Sequence, residues 1–308
     1  MPTVLFIPWF RLPTWHVPIP GLDWQLPIQP FGILVATGVL LATNVAERFG
    51  AKNGLRPAIV SDMVAHVVIT AFVSCYFLNG ALYEPDALME IIRDPKKLFT
   101  TYLGLSSYGG FAGAILGLVI WKMRRGLSAI RVGDAAAFAF PLGWLFGRTG
   151  CFVVHDHPGR VTDFFLAVDN YEVGLPPYQP RHDLGLYEVF WCLVIVPWFF
   201  WLARKPRTPG LYIALLPITY APIRFFLDYL RAEPVEGGDV RYFGFTPGQY
   251  ASVLFLVAGV VMWWWIHRHP APEVPADARV GAEETLDAEA DGKAPGKGRR
   301  KRTKAKKA

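Results

Sequence analysis

Long apolar runs separated by short polar stretches dominate the chain. A helix that crosses the hydrocarbon core of a bilayer needs about 20 mostly apolar residues. Seven segments meet this requirement: Phe31–Glu47, Ala58–Tyr83, Tyr102–Met123, Gly133–Val154, Leu186–Ala203, Gly210–Leu230 and Pro247–His267. The pattern therefore predicts an all-α integral membrane protein with about seven transmembrane helices.

The composition supports this fold class. Of 308 residues, 53% are hydrophobic and only 18% are charged, whereas soluble domains average about 25% charged residues. The three cysteines, Cys75, Cys151 and Cys192, lie in apolar runs without the spacing of a metal site. These features argue against a soluble enzyme, a disordered chain and a disulfide scaffold.

Three regions follow from the pattern. Residues 1–30 are rich in proline and aromatic side chains, which suits an extracytoplasmic segment at the level of the lipid headgroups. Residues 31–269 form the membrane domain. Residues 270–308 are predicted to be a disordered basic cytoplasmic tail, ending in GKGRRKRTKAKKA. Attraction to anionic lipid is the simpler role for this tail, and nucleic-acid binding, the alternative, is not expected.

Lysine and arginine indicate the orientation. They are dense in the short connections 48–56, 122–131 and 204–207 and in the tail, and sparser in the long connections between them. The positive-inside rule then predicts an N-terminus outside the cytoplasm and a cytoplasmic C-terminus. The long connections become extracytoplasmic loops, and loops of this length commonly carry function.

A few ionisable residues interrupt the apolar helices, where charge is costly and usually functional. Arg148 lies in FGRTGCF, and Arg224 and Asp228 lie in YAPIRFFLDYLR. The i, i+4 spacing places Asp228 on the same helix face as Arg224, and Arg231 reaches the interface one turn later. Two guanidiniums near one membrane face form a site for a phosphate, which they bind bidentately. The alternative is an arginine–aspartate pair that only fixes helix packing, and these residues alone indicate no more than an anion or anionic lipid.

Four glycines occur in SYGGFAGAILG. The spacing of Gly113 and Gly117 permits close helix approach. Gly109 and Gly110, beside Tyr108, are also candidates for exposing the backbone to a ligand. A dinucleotide fingerprint is excluded, because a membrane helix surrounds these glycines and a strand does not precede them.

Histidine and glutamate add weaker candidates. His155 and His157 flank an aspartate, but two ligands on a loop are poor support for a metal centre, and we predict no metal site. His182 lies in PRHDLGLYE, together with Glu188, for which a position at the membrane interface is the alternative to a functional role.

These motifs together resemble the bacterial prolipoprotein diacylglyceryl transferases. GRTGCFVVHDHPGR, residues 147–160, resembles the signature of that family. PRHDLGLYE, RFFLDYLR and TPGQ resemble its further motifs in the same order, and SYGG resembles its His-Gly-Gly motif. The resemblance covers roughly residues 27–267.

The resemblance implies a multi-pass enzyme of the bacterial inner membrane that needs no cofactor. Such enzymes transfer the diacylglyceryl group of phosphatidylglycerol to the lipobox cysteine thiol of a prolipoprotein, forming a thioether and releasing glycerol 1-phosphate. By motif, Arg148 and Arg224 would bind the phosphate and Asp228 would orient Arg224. The remaining positions implied for the phospholipid site are Gly109, Gly110, Cys151, Asp156, Gly159, Arg160 and His182.

The chain departs from the family pattern in places. Tyr108 replaces the motif histidine, Phe31 replaces an N-terminal tyrosine, and Asp228 is shorter than the usual glutamate. By its position Tyr108 is a candidate catalytic residue, although a free tyrosine has a pKa of about 10 and is a poor base. His155, His157 and His182 are alternative bases. A non-catalytic or altered-specificity phospholipid-binding homologue therefore remains the alternative, and a transporter would require broken helices around a midplane site.

Overall fold

The computed structural model describes residues 6–18, 25–99, 107–172, 177–236 and 239–281. Eight α-helices lie within these residues. They are α1 (Pro30–Lys52), α2 (Pro57–Tyr83), α3 (Pro85–Arg93), α4 (Ser107–Arg125), α5 (Ala129–Val154), α6 (Leu184–Leu202), α7 (Leu211–Leu227) and α8 (Pro247–Arg268). Five short strands accompany them: β1 (Trp15–Pro18), β2 (Gln25–Ile28), β3 (Pro158–Val161), β4 (Val168–Tyr171) and β5 (Gln179–Asp183).

Local sequence explains where the helices begin. Proline occupies the first turn of α1, α2, α3 and α8, where its missing N–H needs no partner. At α8 the Thr246 hydroxyl accepts from the Gln249 amide, and the Gln249 side chain accepts from the Thr246 amide. This capping box fixes the start of α8 beside the end of α7.

Helix α5 lies at the centre of the bundle, in contact with α1, α2, α6 and α7. On one side, Trp121, Val60, Ala135 and their neighbours form a buried cluster; on the other, Phe138, Phe199 and Tyr212 form a second. Asp134 accepts hydrogen bonds from the first amides of α7, Tyr212 N (2.7 Å) and Ile213 N (3.2 Å). These contacts hold α7 against α5.

Within the described residues, six helices are long and apolar enough to span a membrane: α1, α2, α5, α6, the stretch Leu211–Leu230, and α8. Large apolar side chains such as Leu40, Ile69 and Val194 are exposed on them, as expected for helices that face lipid. The predicted all-α membrane fold of about seven spans is confirmed. The remaining predicted span corresponds to α4, which begins at Ser107 and packs along α2.

Short strands, which the hydrophobic pattern did not predict, lie outside the helices. β1 and β2 form an antiparallel hairpin in residues 1–30. The order of the second sheet is β3-β5-β4, with both pairs antiparallel. Because β3 follows α5 directly and β5 precedes α6, the sheet ties the ends of these two helices together.

The first residues of the predicted tail pack against the bundle. Arg131 Nε donates to the Pro272 carbonyl (2.7 Å), Arg56 Nη1 donates to the Asp277 carbonyl (2.9 Å), and Ala278 is buried. The packed structure therefore continues past the predicted boundary at residue 270. Residues 282–308, with most of the basic charge of the predicted tail, lie outside the described residues.

Candidate active site

Arg148 is buried near the end of α5 and pairs with a glutamate of α6. Its Nε lies 2.8 Å from Glu188 Oε2, and both side chains are almost fully buried. The guanidinium also lies over the Trp144 ring, 4.5 Å from its centroid. This carboxylate partner and aromatic surface hold the guanidinium in a fixed position.

The Glu188 carboxylate joins three helices. Its Oε2 accepts from Trp144 Nε1 of α5 (3.0 Å) and from the Tyr220 hydroxyl of α7 (2.9 Å). It also interacts electrostatically with Arg224 as well as with Arg148. Glu188 is therefore a buried carboxylate that is paired with Arg148 and hydrogen-bonded to side chains of α5 and α7.

Arg224 and Asp228 form the ion pair that their spacing predicts, with 2.5 Å between Arg224 Nη1 and Asp228 Oδ1. Asp228 is fully buried and accepts a short hydrogen bond from the Thr246 hydroxyl. Gly248 lies against this pair, and a Cβ there would overlap the Asp228 carboxylate and lie 3.3 Å from Arg224 Nη2. The start of α8 thus positions Asp228, which in turn orients Arg224.

The chain reverses after α5 through His155, which adopts a left-handed conformation with φ of 52°. His155 Nδ1 lies 3.0 Å from Asp183 Oδ2, its ring stacks on Trp9, and the Tyr171 hydroxyl donates to its carbonyl. Burial and the neighbouring Asp183 raise the pKa of Tyr171, which therefore stays a donor. His155 thus anchors a turn and is enclosed by its partners.

This turn brings His157 back to Arg148. Arg148 Nη1 lies 3.2 Å from His157 Nε2 and 3.8 Å from Cys151 Sγ. His157 Nδ1 makes a short hydrogen bond with Asp156 Oδ1. Because a guanidinium can only donate, Nε2 is the acceptor and Nδ1 carries the proton.

The strands and the described part of the segment after α7 form a cap, which we define as β3, β5 and residues 231–236 and 239–241. Within it Arg160 pairs with Glu233 (2.6 Å), and Arg231 Nε lies 3.1 Å from Asp239. Arg181 donates to both oxygens of Glu236 and to the Gly159 carbonyl. A Cβ at Gly159 would collide with His182 and the Leu230 carbonyl, so this glycine permits the close approach.

The remaining predicted residues are His182, Gly109, Gly110 and Tyr108. His182 Nδ1 is 2.6 Å from the Tyr187 hydroxyl, and burial lowers the pKa of His182. Gly109 and Gly110 lie against Ser74 and Cys75 of α2, in the same close helix packing that is confirmed for Gly113 and Gly117. Tyr108 belongs to the first turn of α4, but its side chain lies outside the described residues.

One group of side chains has the residue types of a metal site. In the described part of the chain, Cys151, Asp156 and His157 are grouped so that their ligand atoms lie within 4.8 Å of one another. Arg148 contacts both the cysteine and the histidine of this group. A fixed guanidinium at this point repels a cation and leaves the group better suited to an anion or a proton.

Sequence reasoning missed several residues of this site. The sequence analysis does not single out Trp144, Tyr220 or Thr246 as site residues. It leaves Glu188 open between a functional role and a position at the membrane interface. Glu188 could have been found by the rule that identified the arginines, since it too is an ionisable residue at the edge of an apolar segment. Aromatic residues such as Trp144 and Tyr220 are so frequent in this chain that nothing distinguished them.

The fold and this site define a class: an integral membrane protein whose helices enclose two arginines and their carboxylate partners. Residues 21–265 match the family described as prolipoprotein diacylglyceryl transferase. The chain belongs to that family.

Named relatives agree with this assignment. The chain is 31% identical to the phosphatidylglycerol–prolipoprotein diacylglyceryl transferase of Janthinobacterium sp. (strain Marseille), with 69% of this chain and 79% of the relative covered. It is 27% identical to the enzyme of that name from Chromohalobacter salexigens, covering 82% and 91%. A relative of the same name from Treponema denticola is 26% identical, covering 76% and 83%.

Proposed function

We propose that this protein transfers the diacylglyceryl group of phosphatidylglycerol to the lipobox cysteine of prolipoproteins. A thioether forms and glycerol 1-phosphate leaves. The observation that carries the proposal is the two arginines of α5 and α7, each paired with a buried carboxylate, Glu188 for Arg148 and Asp228 for Arg224, in a chain of this family. We further propose that the protein lies in the bacterial inner membrane with its N-terminus outside the cytoplasm.

Arg148 and Arg224 are the proposed phosphate ligands. A guanidinium offers five N–H donors in a rigid fork, and the ion pair between Arg224 and Asp228 uses only Nη1 of Arg224. Fixed donors of this kind stabilise the negative charge that develops on a departing phosphate in a site sheltered from water.

Glu188 and Asp228 prepare these guanidiniums. Without a ligand, two buried cations close to each other would repel and carry a large desolvation penalty. The two carboxylates balance that charge and fix the geometry in which the guanidinium meets the phosphate. Asp156, Gly159, Arg160 and His182 would form the mouth of the site, with Gly109, Gly110 and Cys151 at its margin.

The decisive experiment uses purified protein, phosphatidylglycerol in mixed micelles, and a peptide that contains a lipobox cysteine. We expect a mobility shift of the peptide together with release of glycerol phosphate. A peptide with serine in place of the cysteine serves as the control and should not shift. If neither product forms, the proposed activity is wrong.

A second candidate function is phospholipid binding without turnover, favoured by Tyr108 in place of the motif histidine. This candidate predicts that phosphatidylglycerol raises the unfolding temperature although no peptide is modified. The assay above, run beside thermal unfolding with phosphatidylglycerol and with phosphatidylethanolamine, separates the two functions.

A further inference from the structure

Thioether formation needs a group that accepts the proton of the substrate thiol. A thiol is a strong nucleophile only as the thiolate. Since the motif histidine is Tyr108 in this chain, the acceptor has to come from another position. Three properties separate the histidines near the arginine site: access for a substrate, an imidazole nitrogen that can accept a proton, and the distance from Arg148.

Two histidines fail this comparison. The His155 side chain is only 1% exposed and is enclosed by aromatic rings and Asp183, so a substrate does not reach it. His182 is hydrogen-bonded to Tyr187, and burial lowers its pKa, which makes it a weaker base. The contacts of His182 do not include either arginine of the site.

His157 satisfies all three criteria. Its side chain is 24% exposed, its Nδ1 proton is held by Asp156, and its Nε2 carries the lone pair. Nε2 lies 3.2 Å from Arg148 Nη1, so a phosphate bound by Arg148 would lie beside the proton acceptor. The arrangement needs no movement of helices, because the Leu184 amide donates to the His157 carbonyl and fixes this turn to α6.

Resting on the proposed function, we propose that His157, oriented by Asp156, is the general base of this protein. His157 Nε2 takes the proton of the lipobox thiol, and the thiolate attacks the phosphate-bearing carbon of the diacylglyceryl unit of phosphatidylglycerol. The S–C bond forms as the C–O bond breaks, and the electron pair of that bond leaves on the phosphate oxygen of glycerol 1-phosphate. Arg148 Nη1 donates to Nε2; a phosphate that accepts from Nη1 in its place leaves the Nε2 lone pair to the thiol, while Nε of Arg148 stays paired with Glu188.

The test compares two peptide substrates with the full chain. One carries the lipobox cysteine; the other carries selenocysteine, whose selenol is already ionised at neutral pH and needs no base. We expect His157→Gln to lower single-turnover release of glycerol phosphate with the cysteine peptide by about 100-fold or more, the usual contribution of a general base. With the selenocysteine peptide the loss should stay below about fivefold.

A matched control and a binding measurement complete the design. His269→Gln, an exposed histidine beyond α8, should match the wild type with both peptides. Stabilisation of His157→Gln by phosphatidylglycerol should equal that of the wild type, since the variant retains both arginines. An equal loss with both peptides, or no loss with either, would overturn the assignment.

A second variant decides the question if His157→Gln does not fold. Asp156→Asn leaves the imidazole in place but removes the carboxylate that fixes its tautomer. We expect a loss of about tenfold or more with the cysteine peptide and almost none with the selenocysteine peptide. Wild-type protein that modifies neither peptide would contradict the proposed function instead, which keeps the two failures apart.

Discussion

Arginine–carboxylate pairs occur in two regions of this molecule, with different consequences. In the arginine site, which we define as Arg148, Glu188, Tyr220, Arg224 and Asp228, the carboxylates are at most 1% exposed. In the cap, the carboxylates of Glu233, Glu236 and Asp239 are 37–46% exposed.

The same chemical pair therefore has different energetics in the two regions. Removing one partner of a buried pair leaves an uncompensated charge and costs about 3–5 kcal/mol. An exposed pair contributes about 0–1 kcal/mol, because water solvates each partner equally well. We expect the arginine site to respond to single changes far more strongly than the cap.

The largest effect is expected for Arg148→Ala. This change removes a fixed donor to the departing phosphate, which alone contributes about 100- to 1000-fold to a rate, and leaves Glu188 unpaired. Release of glycerol phosphate should fall by about 1000-fold or more. Arg279→Ala, which breaks an exposed pair with Glu273, is the control; an equal loss in both variants would remove the special role of Arg148.

Glu188→Gln tests the same region through stability. The amide retains an acceptor for Trp144 and Tyr220 but leaves the Arg148 charge without its partner. The free energy of unfolding should fall by about 3 kcal/mol, measured in detergent by denaturant titration. A loss of unfolding free energy below about 1 kcal/mol would mean that the Arg148–Glu188 pair stabilises the protein no more than an exposed pair does.

Gly248→Ala tests whether α8 positions Asp228. A Cβ at this position would displace the Asp228 carboxylate and press on Arg224. We expect the KM for phosphatidylglycerol to rise by about tenfold, because a small misplacement of a binding group has a large effect. Gly32→Ala is the matched control, since a Cβ there meets open space; if both variants behave alike, the crowding is unimportant.

Arg160→Ala probes the exposed pair of the cap. Both Arg160 and Glu233 are close to half exposed, so stability should fall by less than about 1 kcal/mol. The turnover rate should change by no more than a few-fold. A loss comparable with that of Arg148→Ala would show that the cap binds the reacting phosphate directly.

Glu236→Gln should have an effect that depends on pH, because the Glu236 carboxylate is partly exposed while its partner Arg181 is buried. Hydrogen bonds from Arg181 lower the pKa of Glu236 below its ordinary value, so its ionised form favours the folded state. This stabilisation is present above the ordinary pKa of about 4.3 and disappears as the pH falls through the lower value of the folded protein. The difference in unfolding temperature between the variant and the wild type should be largest at pH 7 and should shrink as the pH is lowered below about 4.

The hydrophobic pattern predicted the fold class well, because a run of about 20 apolar residues has few alternatives to a membrane helix. It predicted the Arg224–Asp228 pair for a similar reason, since the i, i+4 spacing is local. The strands β3–β5 were missed because each is only four or five residues long and their pairing joins separate segments of the chain. The role of Glu188 was left open, because its partners belong to other helices.

The sequence by itself determined the membrane fold, the ion pair within one helix and the family of the protein, because each depends on local patterns. The tertiary structure decided which polar side chains meet. Glu188 meets Arg148 and Tyr220, and Asp228 meets Thr246, across helices; His157 meets Arg148 through the turn after α5. Such contacts depend on how α5, α6, α7 and α8 pack. Residues far apart in the chain come within hydrogen-bonding distance only after their helices are placed, and their spacing along the sequence does not predict such a contact.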